Sequence, residues 1–144
     1  MTAPAAIAAA TASAASHAAA SARLLTWVEG LQLGTGGADA AVPCAVVHPC
    51  DAESLKGALD AAMHGLIRPV LVAPRNKLQV VARAAGLSLD GVVVEDVAHS
   101  HAAAARAAEM AAHGKAEMLM KGSLHTDELM HEVVRLPALR TKRR

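Results

Sequence analysis

From residue 43 onward the apolar positions follow two alternating rhythms. Four short, almost continuously apolar runs stand at residues 44–48 (CAVVH), 69–73 (PVLVA), 92–95 (VVVE) and 117–120 (EMLM). Runs of this length without polar alternation read as strands covered on both faces. The intervening stretches, 52–65, 74–85 and 99–113, together with 126–135 after the last run, carry helical spacing. Their punctuation agrees. Asp51 stands where a cap belongs and Glu53 where the helix dipole favours an acid, while Gly65, Gly86 and Gly114 close three of the helices. Strands separated by helices of this length predict right-handed crossovers and one parallel sheet with helices on both faces, an α/β domain.

Before residue 43 the pattern changes. Residues 1–20 are a low-complexity Ala-rich lead-in, and residues 21–42 read as a helix followed by a Gly-rich linker. Leu24, Leu25, Val28 and Leu31 make the apolar face of that helix, and GTGGADAA at 34–41 is the flexible part. The domain organisation expected is therefore lead-in, helix with linker, and an α/β domain over 43–144.

Composition then narrows the kind of core. Apolar residues make up 53% of the chain, yet there is no Phe or Tyr and Trp27 stands alone. Helices must pack on the sheet through alanine, with Val, Leu and Met supplying the larger volumes. A net charge of +1 excludes a general nucleic-acid binder, which needs a basic excess on some face. The exception is the end of the chain, where Arg135, Arg140, Lys142, Arg143 and Arg144 cluster. A solvated end and an anion-binding role both fit that cluster. No apolar run approaches the roughly 20 residues of a membrane helix. The lead-in has no Lys or Arg before Arg23, which argues against a signal peptide and for a cytoplasmic protein. Cys44 and Cys50 form no zinc pattern, and idle thiols are the default reading, with a disulfide open in principle.

Ligands of an open parallel sheet bind beyond the carboxyl ends of its strands. Those ends are His48-Pro49-Cys50-Asp51, Pro74-Arg75-Asn76, Asp96-Val97-Ala98, and the segment from Lys121 to Thr126. The last carries the most chemistry. Lys121 leaves a strand, Gly122 permits an unusual turn, and Ser123, His125 and Thr126 precede a helix opening on Asp127 and Glu128. Amide groups at a helix start, with a lysine and hydroxyls beside them, make a seat for phosphate or another anion. The alternative is a plain capped helix, with Thr126 or Ser123 as the cap and Lys121 in solvent. His99 with His101, and His125 with His131, lack the spacing of paired helical metal ligands, so no metal site is expected. Ser123, His125 and Asp127 are too close in sequence for a triad.

Two stretches carry a resemblance. One is residues 45–55 (AVVHPCDAESL) with residues 65–72 (GLIRPVLV). The other is residues 117–130 (EMLMKGSLHTDELM) with residues 139–144 (LRTKRR). Together they resemble the phosphate acetyl/butyryltransferases, above all the form that is bifunctional with an enoyl-CoA hydratase domain. The resemblance implies an isocitrate/isopropylmalate dehydrogenase-like fold, of which this chain holds the first domain only. It implies the reaction acyl-CoA plus phosphate to acyl phosphate plus CoA, with no cofactor, in a homo-oligomer. It places Lys121, Gly122, Ser123, His125 and Thr126 at a cleft between domains, and Arg140 on phosphate or CoA. In the family a second domain carries the serine, aspartate and arginine credited with catalysis. The expectation is thus an amino-terminal fragment inactive alone; a CoA- or phosphate-binding module, or a structural remnant, is the alternative.

Overall fold

The computed structural model describes residues 41–140. The lead-in, the expected helix at 21–33, nearly all of the linker, and Lys142, Arg143 and Arg144 lie outside the described residues.

The chain enters β1 (Val42–Val47), then α1 (Ala52–Met63), β2 (Ile67–Ala73) and α2 (Arg75–Ala85). It continues through β3 (Val93–Asp96), α3 (Ser100–Ala112), β4 (Met118–Lys121) and α4 (Thr126–Arg135), ending in a 3-10 turn at Pro137–Leu139. All four strands are parallel, in the order β3-β2-β1-β4. This is the α/β class read from the sequence.

β1 and β2 each begin two residues earlier than their apolar runs. Pro43 and Pro69 lie inside strands, in stretches where the strand has a neighbour on one side only. Pairing of β4 with β1 starts at Cys44, and pairing of β3 with β2 starts at Val70. A proline is tolerated where one ladder edge is open.

Alternate side chains of the central strands enter two separate cores. Cys44, Val46, Leu71 and Ala73 meet Leu55 and Ala58 of α1 and Leu78 and Ala82 of α2. Ala45, Val47 and Val72 meet Ala103, Ala104, Ala107 and Met110 of α3 and Leu129 of α4. Helices therefore cover both faces, and α3 does so almost entirely with alanine, as the absence of aromatics requires. Among the described residues no helix is long and apolar enough to cross a membrane.

The helix ends follow local rules. Asp51 caps α1, its carboxylate accepting from the Ser54 amide at 2.9 Å and from the Ser54 hydroxyl. Gly86 ends α2 in the left-handed region at φ 65°. The Ser54 hydroxyl and amide hold the Asp51 carboxyl below its ordinary range. A lowered folded-state value stabilises the fold above the unfolded pKa, about 3.9, and that contribution is lost as pH falls through the folded value. Asn caps as well as Asp but does not titrate. Asp51→Asn is thus expected to flatten the loss of stability below about pH 4, read by denaturant midpoints at several pH values; parallel curves for the two proteins would refute it.

Candidate functional site

The strand order dictates where a crevice opens. From β1 the chain steps outward through β2 to β3, laying α1 and α2 on one face. It then returns past β1 to add β4 on the other side, which puts α3 and α4 on the opposite face. The connections leaving β1 and β4 diverge to opposite faces, so a gap forms between their carboxyl ends, at the topological switch point.

Two loops fill the floor of this gap. The amide of Gly122 donates to the Val47 carbonyl at 2.8 Å, and the amide of Ser123 donates to the His48 carbonyl at 2.9 Å. The Ser123 hydroxyl donates to the same His48 carbonyl at 2.9 Å and accepts from the Cys50 amide at 3.1 Å. The β4–α4 loop is in effect stitched to the end of β1. A side chain on Gly122 would place its Cβ 2.6 Å from the His48 carbonyl oxygen, 2.7 Å from the Pro49 Cα and 2.7 Å from the Val47 carbonyl oxygen. The glycine is required by backbone proximity. Its φ is outside the left-handed region, which corrects the expectation of an unusual turn at this residue.

His48 is the buried polar residue of the site, 8% exposed. It holds a left-handed backbone at φ 52°, anchored by its amide donating to the Val72 carbonyl at 2.9 Å. Its Nδ1 lies 3.0 Å from the Ser123 carbonyl oxygen, which can only accept, so Nδ1 carries the hydrogen. Nε2 is buried and has no hydrogen-bond partner.

Above these loops lies an open depression of about 410 Å³ lined by His48, Ser100, Ser123, Leu124, His125 and Glu128. Ser100 begins α3 and His125 precedes α4, so two helix amino ends border it. The α3 end is capped by His99, whose Nδ1 accepts from the Ala102 amide at 3.2 Å. The α4 end has no side-chain cap. Glu128 is 16% exposed and its carboxylate is paired with His101 Nε2 at 3.0 Å.

No family model matches the chain. Among curated proteins, it is 54% identical over 108 residues to the phosphate acetyltransferase of Rhizobium meliloti, a match covering 74% of this chain and 34% of that one. It is 49% identical over 104 residues to the phosphate acetyltransferase of Rickettsia felis, covering 72% of this chain and 30% of the relative. The chain is a homologue of phosphate acetyltransferases. It spans about a third of the length of the curated relatives it matches. A crystal structure of a branched-chain phosphotransacylase from Enterococcus faecalis V583 superposes with a TM-score of 0.51 at 15% identity, over 67% of this chain and 33% of that one. That likeness is one of fold.

In this phosphate acetyltransferase homologue the residues expected at the site divide into two groups. Gly122, Ser123 and His125 come together in the loop beside β1, with Lys121 as the last residue of β4 and Thr126 as the first of α4. Lys121 is exposed, and its Nζ donates to the Gly122 carbonyl at 3.3 Å. Neither Thr126 nor Ser123 caps α4, because His125 occupies the cap position and the Ser123 hydroxyl is committed to the β1 loop. Arg140 does not join the loop. Its Nε donates to the Val134 carbonyl at 2.7 Å, in the last turn of α4, at the end away from Thr126. Arg135, in the same basic cluster, is paired with Glu132 at 2.8 Å.

Ser100 is a pocket residue that sequence reasoning passed over, and His48 and Glu128 entered it only as members of a strand end and a helix start. His48 stood at a strand end, but nothing local announced its contact with a loop 75 residues away. The cysteines stay apart from this chemistry. Both are free, and burial pushes both thiols up, which disfavours a thiolate nucleophile. Among the described residues no three His, Cys, Asp or Glu side chains group as metal ligands.

Proposed function

We propose that this chain contributes one wall of the reaction centre of a phosphate acyltransferase, which converts acyl-CoA and phosphate to acyl phosphate and CoA. The observation that carries the reading is the Gly122–Ser123 loop laid against the end of β1 at the switch point, with the uncapped start of α4 opening on the depression. The 54% identity to a phosphate acetyltransferase supplies the reaction class.

In that reaction a phosphate oxygen attacks the thioester carbonyl carbon. A C–O bond forms, the C–S bond breaks, and the sulfur leaves as thiolate. The thioester is already an activated acyl donor, so the proposal calls for no cofactor. Negative charge is carried by phosphate throughout and develops on the carbonyl oxygen and sulfur. The amides at the start of α4, the hydroxyl of Ser100 and the Lys121 ammonium are the groups of this chain suited to hold it, with the Ser123 hydroxyl fixing the loop beside them. They position the reactants, and positioning accounts for much of the rate in such transfers. The proton transfers and the remaining charge stabilisation belong to residues outside the chain. The 144 residues alone are therefore expected to be inactive. A cytoplasmic homo-oligomer goes with the same reading and rests on the resemblance alone.

A graft tests this. Residues 41–140 replace the matching stretch of the Rhizobium meliloti relative, and phosphate-dependent CoA release from acetyl-CoA and butyryl-CoA is followed. The folded hybrid is expected to release CoA only with phosphate present, and the 144-residue chain to release none. A folded hybrid without phosphate-dependent release would sink the proposal. Ser123→Ala in the active hybrid is expected to lower kcat/KM by about 10- to 100-fold, because it removes the hydroxyl's bonds to His48 and Cys50 and so loosens the loop beside the depression.

A further inference from the structure

One residue pins Ser123 from both sides of its backbone. The Ser123 amide donates to the His48 carbonyl at 2.9 Å, and the Ser123 carbonyl accepts from His48 Nδ1 at 3.0 Å. Each bond fixes one peptide plane, the first that of Gly122 and Ser123, the second that of Ser123 and Leu124. His48 can serve as a clamp because it is itself held. It is 8% exposed, and its amide donates to the Val72 carbonyl. Its carbonyl also accepts from the Cys50 amide at 2.8 Å and from the Ser123 hydroxyl at 2.9 Å. The backbone stays at φ 52°, a conformation that costs a residue other than glycine and that persists only where the surroundings enforce it.

The second plane has a consequence for the depression. In a trans peptide the carbonyl and the following N–H point in opposite directions, and no peptide bond among the described residues is cis. With the Ser123 carbonyl turned to the His48 ring, the Leu124 N–H points away from that ring. Among the described residues nothing accepts from it. The Leu124 side chain is buried in the core with the α3 alanines and Leu129, yet the residue also lines the depression. Its amide comes two residues ahead of the uncapped start of α4. A free loop amide that runs on into a free helix start belongs to the kind of donor set that oxyanions take. Glu128, the one acid of the lining, is paired with His101.

We propose that His48 is a positioning residue whose Nδ1–H fixes the Ser123–Leu124 peptide, so that the Leu124 amide donates to an oxygen of bound phosphate. This rests on the reading of the loop as the phosphate seat of an acyltransferase, and it names a donor of that seat and the residue that aims it. His48 does not touch the ion. It acts through the peptide that Ser123 and Leu124 share, and a seat whose donors are aimed in advance loses little to reorganisation when the ion arrives.

The test is titration of the 144-residue chain with inorganic phosphate at constant ionic strength. Calorimetry gives the affinity, and the Leu124 amide signal in NMR spectra reports the contact without any substitution. Phosphate is expected to move that amide proton downfield, saturating with the calorimetric affinity. Two variants separate aiming from mere loop structure. His48→Gly accommodates the positive φ and removes the ring. His48→Asn also tolerates that φ and keeps an N–H near the position of Nδ1. The glycine variant is expected to bind phosphate about tenfold more weakly, the worth of a hydrogen bond to a charged group, and to lose the Leu124 shift. The asparagine variant is expected to recover most of the affinity together with the shift. Phosphate binding that leaves the Leu124 signal of the native chain unmoved would overturn the role of His48 and leave the anion seat standing. So would two variants that both bind like the native chain, or that are weakened alike. Failure of the folded native chain to bind phosphate would overturn the seat itself.

Discussion

Gly122→Ala is expected to lower the melting temperature by roughly 10–20 °C, corresponding to a loss of about 2–3 kcal/mol in a domain of this size. The added carbon would lie 2.6–2.7 Å from three backbone atoms of residues 47–49, none of which can swing aside as a flexible side chain would. Relief requires the two loops to part. The hydrogen bonds from Gly122 to Val47 and from Ser123 to His48 would then lengthen or break. The pocket floor opens with them, so phosphate binding should fall along with stability. Gly57 is the internal control. It lies within α1, and a Cβ there meets nothing within 4 Å. Gly57→Ala removes the backbone-entropy penalty of glycine in a helix and is expected to raise stability by about 0.5–1 kcal/mol. Thermal unfolding of the two variants decides the matter. Similar midpoints for both would show that proximity at Gly122 is unimportant.

Ala107→Leu is expected to cost about 3 kcal/mol, at the upper end for overpacking. Ala107 is fully buried with Ala103 and Ala104 on the face of α3 that meets Ala45, Val47 and Val72. Small side chains on both partners let helix and sheet approach closely, and a close-packed interior has no space for three more carbons. The helix must lift. Because Ser100 at its start lines the depression, the lift should also weaken ligand binding there. Denaturant unfolding measures the first effect and phosphate titration the second. Unchanged stability would mean that the α3 interface is loosely packed.

Much of this molecule is local physics. Asp51 caps a helix because a carboxylate two or three residues ahead of free amides finds them, and Gly86 ends one because it alone enters the left-handed region without strain. The short apolar runs and helical spacings define strands and helices from their neighbours alone, and their alternation then leaves the parallel sheet as the arrangement that hides both faces. The alanine-lined packing of α3 was already implied by a chain without Phe or Tyr. Prolines were the weak point of that reading. Whether Pro43 or Pro69 can sit in a strand depends on how far the neighbouring strand extends, which no local pattern records.

The site divides along the same line. That a lysine, a glycine and hydroxyls gather where a strand meets a helix could be read from residues 121–126, because those groups are consecutive. Tertiary structure alone decided that Gly122 is needed for close approach, that Ser123 is bound to the end of β1, that Arg140 lies at the far end of α4, and that the Nε2 of His48 is buried without a partner. Each of these depends on which strands lie side by side. Strand order is set by the summed burial of two cores drawn from the whole domain, and that sum is not written in any one stretch of the chain.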